Sequence, residues 1–278
     1  MELLRRPGFP PAAAGGPVEI APDGVDWHFI HFNAYHLKAG DVHRGDSEDR
    51  ETGLIVLGGR CSVRAGELEL TGIGTRRDVW ERIPPAVVLM PPGTAYEIVA
   101  ESEVHLVVTG ARSDVGFPPR LIAASEIAVE HRGEGQTARY IHHLLPGSAE
   151  AARLLLVEVY TPAGNWSSFP PHKHDTEDPP RESYLEEVYY YQIRPAQGFA
   201  FQRVYTVDGR LDETVAAKDG DLVLVPRGYH VVAAMPGHDC YYLNVMAGPT
   251  RAWNFQVDPD YASLLNWQKP AVTDAKKT

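Results

Sequence analysis

The sequence predicts an all-β protein made of two similar β-domains. Its 278 residues form short apolar or alternating runs separated by Gly, Pro and Asp, a pattern typical of a β-sandwich or β-barrel. No long stretch of the chain has the 3.6-residue apolar period of an amphipathic helix. The two halves also resemble each other, which indicates a duplicated domain.

The first half is expected to begin with an irregular arm, because residues 1 to about 20 are rich in Pro, Ala and Gly. Apolar runs then predict strands over 27–32, 54–57, 67–70, 86–90 and 104–108. Residues 118–137 are expected to form a connection, with a short element over 121–129 as the alternative.

The second half repeats the strand rhythm. Strands are predicted over 154–160, 187–193, 199–206, 214–217, 222–225, 230–234 and 241–245. Asp208 and Gly209 predict a hairpin, because both residues tolerate the positive φ of a type I′ turn. Asp258 followed by Pro259 resembles a helix N-cap and first helical residue, which predicts a short helix to about Gln268. Residues 269–278 are expected to form a loose tail.

The internal repeat is clearest at one strand and its turn. The run Val-Val-Leu-Met-Pro-Pro-Gly at 87–93 matches Leu-Val-Leu-Val-Pro-Arg-Gly at 222–228, an offset of 135 residues. The first copy has Ala95 where the second has His230, and no His-x-His precedes it. We therefore expect an N-terminal barrel without metal ligands over 1–125. A metal-binding barrel with a C-terminal covering segment is expected over 126–278.

Composition limits the class of function. Apolar residues make up 44% and charged residues 23%, which is ordinary for a globular chain with a buried core. A formal charge of -11 repels nucleic acid and anionic membranes, so neither is an expected partner. The first residues contain no apolar run of the kind found in signal peptides, and the two cysteines lack metal-type spacing. These features favour the cytoplasm. A homo-oligomer is compatible with the sequence, although no feature fixes the subunit count.

Three histidines and a glutamate form a candidate metal site. His172 and His174 share one face of an extended strand, since side chains alternate along it. His230 follows a Pro-x-Gly turn, and Glu187 opens a Tyr-rich strand. Three imidazoles and a carboxylate suit a divalent ion, with zinc favoured and manganese, iron or nickel as alternatives.

The same residues resemble the cupin fold, whose first motif contains His-x-His and Glu and whose second contains Gly-x5-Pro-x-Gly and His. Gly220, Pro226 and Gly228 fit the second motif, with His230 one residue early. Twelve residues separate His174 from Glu187, where cupins have three or four, so Glu186 and Glu182 stay alternative ligands. Asp178 has the usual spacing but precedes two prolines, which disfavours a regular strand.

More narrowly, residues 165–175 and 181–191 closely resemble the 5-deoxy-glucuronate isomerase family of myo-inositol catabolism, which is similar to the 5-keto-4-deoxyuronate isomerases. The resemblance implies a bicupin, with two tandem jelly-roll β-barrels and few short helices. It implies an aldose-ketose isomerase that converts 5-deoxy-D-glucuronate to 5-dehydro-2-deoxy-D-gluconate.

That chemistry needs a proton shuttle or a metal-mediated hydride shift. Glu182 and Glu186 are the candidate bases, with Tyr184 or Tyr189 as hydrogen-bonding partners. The substrate carboxylate needs a cation, for which Arg203 is the first candidate because it lies on a predicted strand. Arg181 and Arg227 are loop alternatives.

Two other functional classes fit the same residues. Three imidazoles and one carboxylate leave up to two positions on an octahedral ion, so a cupin dioxygenase has a suitable ligand set. A bicupin that binds a sugar without catalysis is the third class.

Overall fold

The computed structural model describes residues 2–6, 18–20, 27–145, 147 and 149–268. Its first eleven strands are β1 Leu4–Arg5, β2 Val18–Ile20, β3 Ile30–Leu37, β4 Val42–Asp46, β5 Arg50–Gly58, β6 Cys61–Ala65, β7 Leu68–Ile73, β8 Val87–Met90, β9 Ala95–Ala100, β10 Val104–Arg112 and β11 Arg120–Ile122. The remaining strands are β12 Ala128–Arg132, β13 Arg139–His143, β14 Leu154–Thr161, β15 Trp166–Lys173, β16 Glu186–Arg194, β17 Ala200–Tyr205, β18 Asp212–Ala217, β19 Leu222–Val225, β20 Tyr229–Ala234, β21 Asp239–Ala247 and β22 Gln256–Val257. Short 3-10 helices cover Val79–Glu81, Ala124–Glu126, Gly135–Thr137 and Pro259–Gln268.

Strands β2 to β11 form the first barrel from two antiparallel sheets. One sheet has the order β11-β8-β5-β10-β3-β2, and the other has the order β4-β9-β6-β7. Leu54 and Val88 of the first sheet meet Val63 and Ile98 of the second in a buried apolar cluster. The interior of this barrel is therefore filled with side chains, as expected for a small barrel.

The second barrel contains the other two sheets, ordered β1-β19-β16-β21-β14-β13-β12 and β18-β17-β20-β15-β22. Tyr189 and Tyr242 of the first sheet pack with Val204 and Val232 of the second. The predicted all-β fold of two tandem barrels with few short helices is confirmed. Among the described helices, none has the length and apolarity that a membrane span requires.

A third apolar cluster lies between the barrels. It joins Phe32 and Leu89 of the first barrel to Tyr190 and Leu243 of the second. Because side chains alternate along a strand, β16 directs Val188 and Tyr190 into this shared core and Glu187 and Tyr189 into the second barrel. The ligand-bearing face of β16 is thus fixed by apolar packing on its other face.

The registers of the two barrels follow the predicted repeat. Thr52 pairs with Met90 in the first barrel, and Glu187 pairs with Val225 in the second. Each residue of the second pair lies 135 positions after its counterpart in the first pair, which is the offset found in the sequence. The place of Glu187 is therefore taken by Thr52 in the first barrel.

The barrels also exchange a reciprocal pair of carboxylate contacts. Glu51 accepts hydrogen bonds of 2.6–2.7 Å from the backbone N–H groups of residues 152–154. Glu186 accepts bonds of 2.6–2.9 Å from the N–H groups of residues 28–30. Each carboxylate thus satisfies three donors at the start of a strand in the opposite barrel, which links the two halves by a second, polar contact.

Some predictions differ from the structure. The strand predicted at 27–32 begins at Ile30. The expected irregular arm contains strands β1 and β2, and β1 pairs with β19, so part of the region assigned to the first barrel lies in a sheet of the second. Residues 7–17 of the arm and the predicted tail at 269–278 lie outside the described residues.

The turn and helix predictions agree more closely with the structure. Strands β17 and β18 pair in antiparallel register and are joined through Gly209, whose φ is +68°. The connecting loop has six residues, 206–211, rather than the two of a tight type I′ hairpin. The helix predicted after Asp258 is present as Pro259–Gln268.

Candidate metal centre

Three buried imidazoles meet inside the second barrel. His172 lies near the end of β15, His174 follows that strand directly, and His230 is the second residue of β20. Antiparallel pairing places His172 opposite His230. One ring nitrogen of each histidine lies within 4.8 Å of the others, so the three can bind a single ion.

The carboxylate of Glu187 completes the group. Its Oε2 lies 3.0 Å from Nε2 of His174 and 3.0 Å from Nε2 of His230. Its Oε1 accepts a hydrogen bond of 2.6 Å from Asn244. The long insertion between His174 and Glu187 forms a loop outside the cavity, where Asp178 is half-exposed and pairs with Arg181. Glu187 therefore meets the imidazoles despite its unusual spacing.

Backbone carbonyls orient each imidazole. The Nδ1 atoms of His172, His174 and His230 lie 3.1, 3.1 and 3.4 Å from the carbonyl oxygens of Pro170, Leu185 and Gly228, respectively. A proton on each Nδ1 leaves Nε2 as the lone-pair nitrogen that points toward the centre of the group. The buried Nε2 of His230 has no aligned hydrogen bond within the described residues, as expected for a ligand atom. The residues present thus fit a metal ion.

The charges in this group also suit metal binding. Burial lowers the pKa of His172 well below its usual value, and the neighbouring His230 and His174 lower it further. Burial alone would raise the pKa of Glu187, but His230 and His174 outweigh it and the pKa falls well below normal. Burial would lower the pKa of His174, but the charge and hydrogen bond of Glu187 raise it. Ionised Glu187 and neutral His172 are the protonation states that ligands require, and His174 has to give up its Nε2 proton when an ion binds.

His172 and Glu187 of this group line a cavity of about 340 Å³. Val157, Val159 and Ile141 form an apolar wall from the larger sheet, and Phe255 and Leu265 come from the C-terminal segment. Its polar lining consists of Arg132, Arg139, Ser168, His172, Glu187, Tyr189, Tyr242 and Asn244. The volume and the mixed lining suit a small polar molecule.

Three hydroxyl groups form a cluster in this lining. Ser168 Oγ lies 3.0 Å from the hydroxyl of Tyr189 and 3.2 Å from that of Tyr242. Ser168 adopts a φ of +47°, which is uncommon for a residue other than Gly, at an irregularity in β15. Burial raises the pKa of both tyrosines, that of Tyr242 to about 12. Both hydroxyls therefore stay protonated and can donate hydrogen bonds.

The cations of the cavity were not among the predicted ones. Arg139 is buried and donates to the carbonyl oxygens of Thr137 at 2.9 Å and Phe169 at 3.2 Å. Burial lowers its pKa to about 10, which leaves it charged at neutral pH. Arg132 lies beside it in register and forms two bonds of 2.7 Å with Glu130. Neither arginine was predicted as a substrate-binding residue, because the strands β12 and β13 were not predicted with these bounds.

The candidate bases lie outside the cavity lining. Glu182 is buried beneath the inserted loop, where it pairs with Lys173 at 2.8 Å and accepts the N–H groups of Asp175 and Thr176. Glu186 faces the first barrel through its three backbone contacts. Tyr184 lines a separate surface cavity. Their positions give no support to a direct catalytic role.

The predicted substrate-binding arginines also lie elsewhere, whereas Tyr189 does line the cavity. Arg203 forms a two-pronged pair with Asp212, at 2.8 and 2.9 Å, and borders a second cavity of about 500 Å³ on the outer side of the smaller sheet. Arg181 is exposed and pairs with Asp178, and Arg227 lines the same surface cavity as Tyr184.

Comparison with known proteins places this arrangement in a family. Residues 7–264 match the KduI/IolB family. The chain belongs to the KduI/IolB family. The predicted resemblance is thereby confirmed, and with it the prediction that the protein is an enzyme of the isomerase class.

Curated members of the KduI/IolB family are similar over nearly their whole length. A 5-deoxy-glucuronate isomerase of Geobacillus kaustophilus is 46% identical, covering 94% of this chain and 95% of the relative. One from Bacillus subtilis strain 168 is 40% identical, covering 95% and 98%. A crystal structure of an IolB-like protein from Salmonella typhimurium superimposes with a TM-score of 0.91 at 42% identity, covering 95% of this chain and 100% of that one.

The KduI/IolB fold extends to more distant proteins. The oxalate decarboxylase of Lactobacillus farciminis superimposes with a TM-score of 0.66 at 12% identity, covering 92% of this chain and 88% of that one. The superposition shows a shared all-β fold, and identity at that level carries no functional information.

Proposed function

We propose that this chain is a metal-dependent aldose-ketose isomerase that converts 5-deoxy-D-glucuronate to 5-dehydro-2-deoxy-D-gluconate, a step of myo-inositol catabolism. The observation that carries the proposal is the convergence of three imidazoles and Glu187, of which His172 and Glu187 line a cavity that Arg139 also lines. The names of the curated relatives supply the substrate.

His172, His174, His230 and Glu187 would hold the ion. Zinc is the first candidate, and manganese, iron and nickel are the alternatives, because all accept imidazole and carboxylate ligands. When bound, such an ion supplies Lewis-acid stabilisation of the negative charge that develops on the carbonyl and neighbouring hydroxyl oxygens. Asn244 positions Glu187 through its bond to Oε1.

Arg139 is proposed to bind the substrate carboxylate. It is a buried cation in a protein of net charge -11, and its backbone hydrogen bonds hold the guanidinium in place. A guanidinium can bind a carboxylate through two parallel hydrogen bonds. This role replaces the one expected of Arg203, whose guanidinium is paired with Asp212 outside the cavity.

Tyr189 and its hydroxyl partners are proposed to handle the hydroxyl proton. The isomerisation moves a proton from the oxygen on C2 to the oxygen on C1, and one hydrogen from C2 to C1. The linked hydroxyls of Ser168, Tyr189 and Tyr242 can accept one proton and release another without any of them staying ionised. Glu182 and Glu186 take no part in this proposal, because their carboxylates are engaged elsewhere.

A direct assay tests the proposal. Purified protein supplied in turn with zinc, manganese, iron or nickel is mixed with 5-deoxy-D-glucuronate, and loss of the aldehyde signal is followed by proton NMR. Turnover that disappears with a chelator and returns with metal is expected. Absence of turnover with all four metals would refute the proposal, and oxygen uptake instead would favour a dioxygenase. Running the reaction in deuterium oxide shows whether the hydrogen that reaches C1 exchanges with solvent.

A further inference from the structure

One buried donor in the cavity wall lacks a partner. Trp253 lines the cavity, and its indole Nε1 is shielded from solvent. Within the described part of the chain, no acceptor forms a hydrogen bond with this nitrogen. Leaving a buried N–H unpaired destabilises a folded protein, so such groups are rare and usually have a functional explanation.

The segment that carries Trp253 is fixed on both sides. Arg251 donates to the carbonyl oxygen of Leu154 at 2.8 Å and to further carbonyls of the same region. Asn254 donates to the hydroxyl of Ser183 at 3.0 Å, and its carbonyl oxygen accepts the Ser183 N–H at 3.0 Å. Strand β22 then pairs with β15. The backbone on both sides of Trp253 is therefore held in place. Because Nε1 is shielded, a ligand oxygen reaches this N–H only when the indole turns about its side-chain bonds.

The surroundings of Trp253 indicate the kind of acceptor it would meet. Its ring packs against Phe255 with centroids 5.7 Å apart, and Phe255 contacts His172 edge-on at 5.0 Å. Arg139 lies in the lining of the same cavity. Trp253 thus shares one cavity lining with His172 and Arg139, and a sugar acid carries acceptor oxygens along its length.

We propose that the indole N–H of Trp253 donates a hydrogen bond to a hydroxyl or carboxylate oxygen of the bound sugar acid. Trp253 is then a specificity residue, and it brings the C-terminal covering segment into substrate recognition. The chemical identity of the ligand rests on the proposed function. A ligand that presents a carbon at this point leaves the N–H unpaired and binds less tightly.

Replacing Trp253 by Phe tests the proposal kinetically, because Phe keeps an aromatic ring and removes the N–H. We expect KM for 5-deoxy-D-glucuronate to rise about tenfold, with metal content unchanged. Trp166→Phe is the matched control, since Trp166 is 41% exposed and borders the other cavity. It should leave KM unchanged. Equal KM values for wild type and Trp253→Phe would overturn the proposal.

A spectroscopic measurement on wild-type protein avoids any folding defect of the variant. The chain has five tryptophans, so protein labelled with 15N-tryptophan gives few indole N–H signals. The signal missing from the Trp253→Phe spectrum should move downfield when 5-deoxy-D-glucuronate is added. A signal that does not move overturns the inference even if the enzyme turns over. A shifted signal without turnover supports Trp253 as a ligand-binding residue and refutes the proposed reaction.

Discussion

Each histidine of the metal centre uses its two ring nitrogens for different tasks. Nδ1 is bonded to a backbone carbonyl, and the carbonyls belong to Pro170, Leu185 and Gly228, each within the turn or strand end that carries the site. The backbone conformation therefore sets the ring orientation before any ion arrives. A second hydrogen bond supports this geometry, because Asp175 accepts the Gly228 N–H at 2.7 Å.

Removal of one imidazole should remove the ion. His172→Ala and His230→Ala are expected to purify with less than about a tenth of the wild-type metal content, because the three ligands that remain bind the ion weakly. Activity is expected to fall at least about a thousandfold. Elemental analysis of the purified variants measures this. His143→Ala is the control, since His143 pairs with Glu130 away from the centre. Normal metal content in His230→Ala would contradict the ligand assignment.

Arg139 should control affinity for the carboxylate of the substrate. Arg139→Ala is expected to raise KM by about 10- to 100-fold, the range for a hydrogen bond to a charged group. Because the variant also loses two bonds to backbone carbonyls, the decisive readout is the ratio of KM values for the acid and its methyl ester. That ratio should approach one in the variant. Arg203→Ala should change neither of the two KM values. A larger rise of KM in Arg203→Ala than in Arg139→Ala would favour Arg203 as the carboxylate site.

At the level of single elements, β16 carries two adjacent glutamates with opposite tasks. Glu187 points into the second barrel toward the imidazoles, and Glu186 points into the contact with the first barrel. Alternation of side chains along a strand explains this division. Glu51, which occupies the corresponding place on β5, makes the reciprocal contact, and among the described residues no cluster of potential metal ligands includes its neighbours.

Because Glu51 makes the same kind of contact as Glu186, it is a matched control that distinguishes a structural role of Glu186 from a catalytic one. Glu186→Gln and Glu51→Gln should each reduce the free energy of unfolding by about 1–3 kcal/mol, because a neutral amide satisfies the three N–H donors less well. Thermal melts and turnover of both variants measure the effect. The kcat values should stay within about threefold of wild type. A large loss of kcat in Glu186→Gln, with metal retained and Glu51→Gln active, would restore Glu186 as a base.

The elements that the sequence predicted are those with regular apolar patterns. Strands β8, β19 and β16 carry continuous or alternating apolar residues and were located within about a residue. Strand β4 is Val-His-Arg-Gly-Asp, and its exposed residues carry no apolar pattern because it lies at the edge of its sheet. Strand β13 was missed for a related reason, since its Arg and two His residues resemble a loop.

The metal ligands were predictable for a different reason from the substrate-binding residues. His172, His174 and His230 occur in motifs whose local spacing reflects one strand and one turn. Arg139 and Trp253 reach the same cavity from β13 and from the C-terminal segment, and their relation to the histidines arises from barrel closure alone. Local sequence patterns do not encode such distances, and a buried unpaired donor is visible only once its neighbours are known.

At the scale of the whole molecule, a buried ion pair joins the two barrels at their shared interface. Arg76 of the first barrel forms two bonds of 2.8 Å with Glu158 of the second, and both side chains are fully buried. His142, Tyr160 and Tyr241 complete the hydrogen bonds of the carboxylate. Glu158 lies on the strand β14, which also supplies Val157 and Val159 to the cavity wall, so the interface and the site share one element.

Breaking this pair should destabilise the whole molecule. Glu158→Gln leaves the buried Arg76 without its counter-charge and is expected to cost about 3–5 kcal/mol of unfolding free energy. The double variant Arg76→Met with Glu158→Leu should lose less than the single variant, because no charge then remains buried. Denaturant unfolding of the single and double variants measures both effects. A loss in the double variant as large as that in Glu158→Gln would contradict this account.

The same pair predicts a pH dependence. Burial alone would raise the pKa of Glu158, but the charge of Arg76 and the hydrogen bonds from His142 and Arg76 lower it to about 2. Because the folded pKa lies below the unfolded value of about 4.3, the stabilisation is complete above about pH 5 and is lost as the pH falls toward 2. The difference in unfolding free energy between wild type and Glu158→Gln should therefore be constant at neutral pH and shrink through this acid range. A difference independent of pH down to 2 would contradict the depressed pKa.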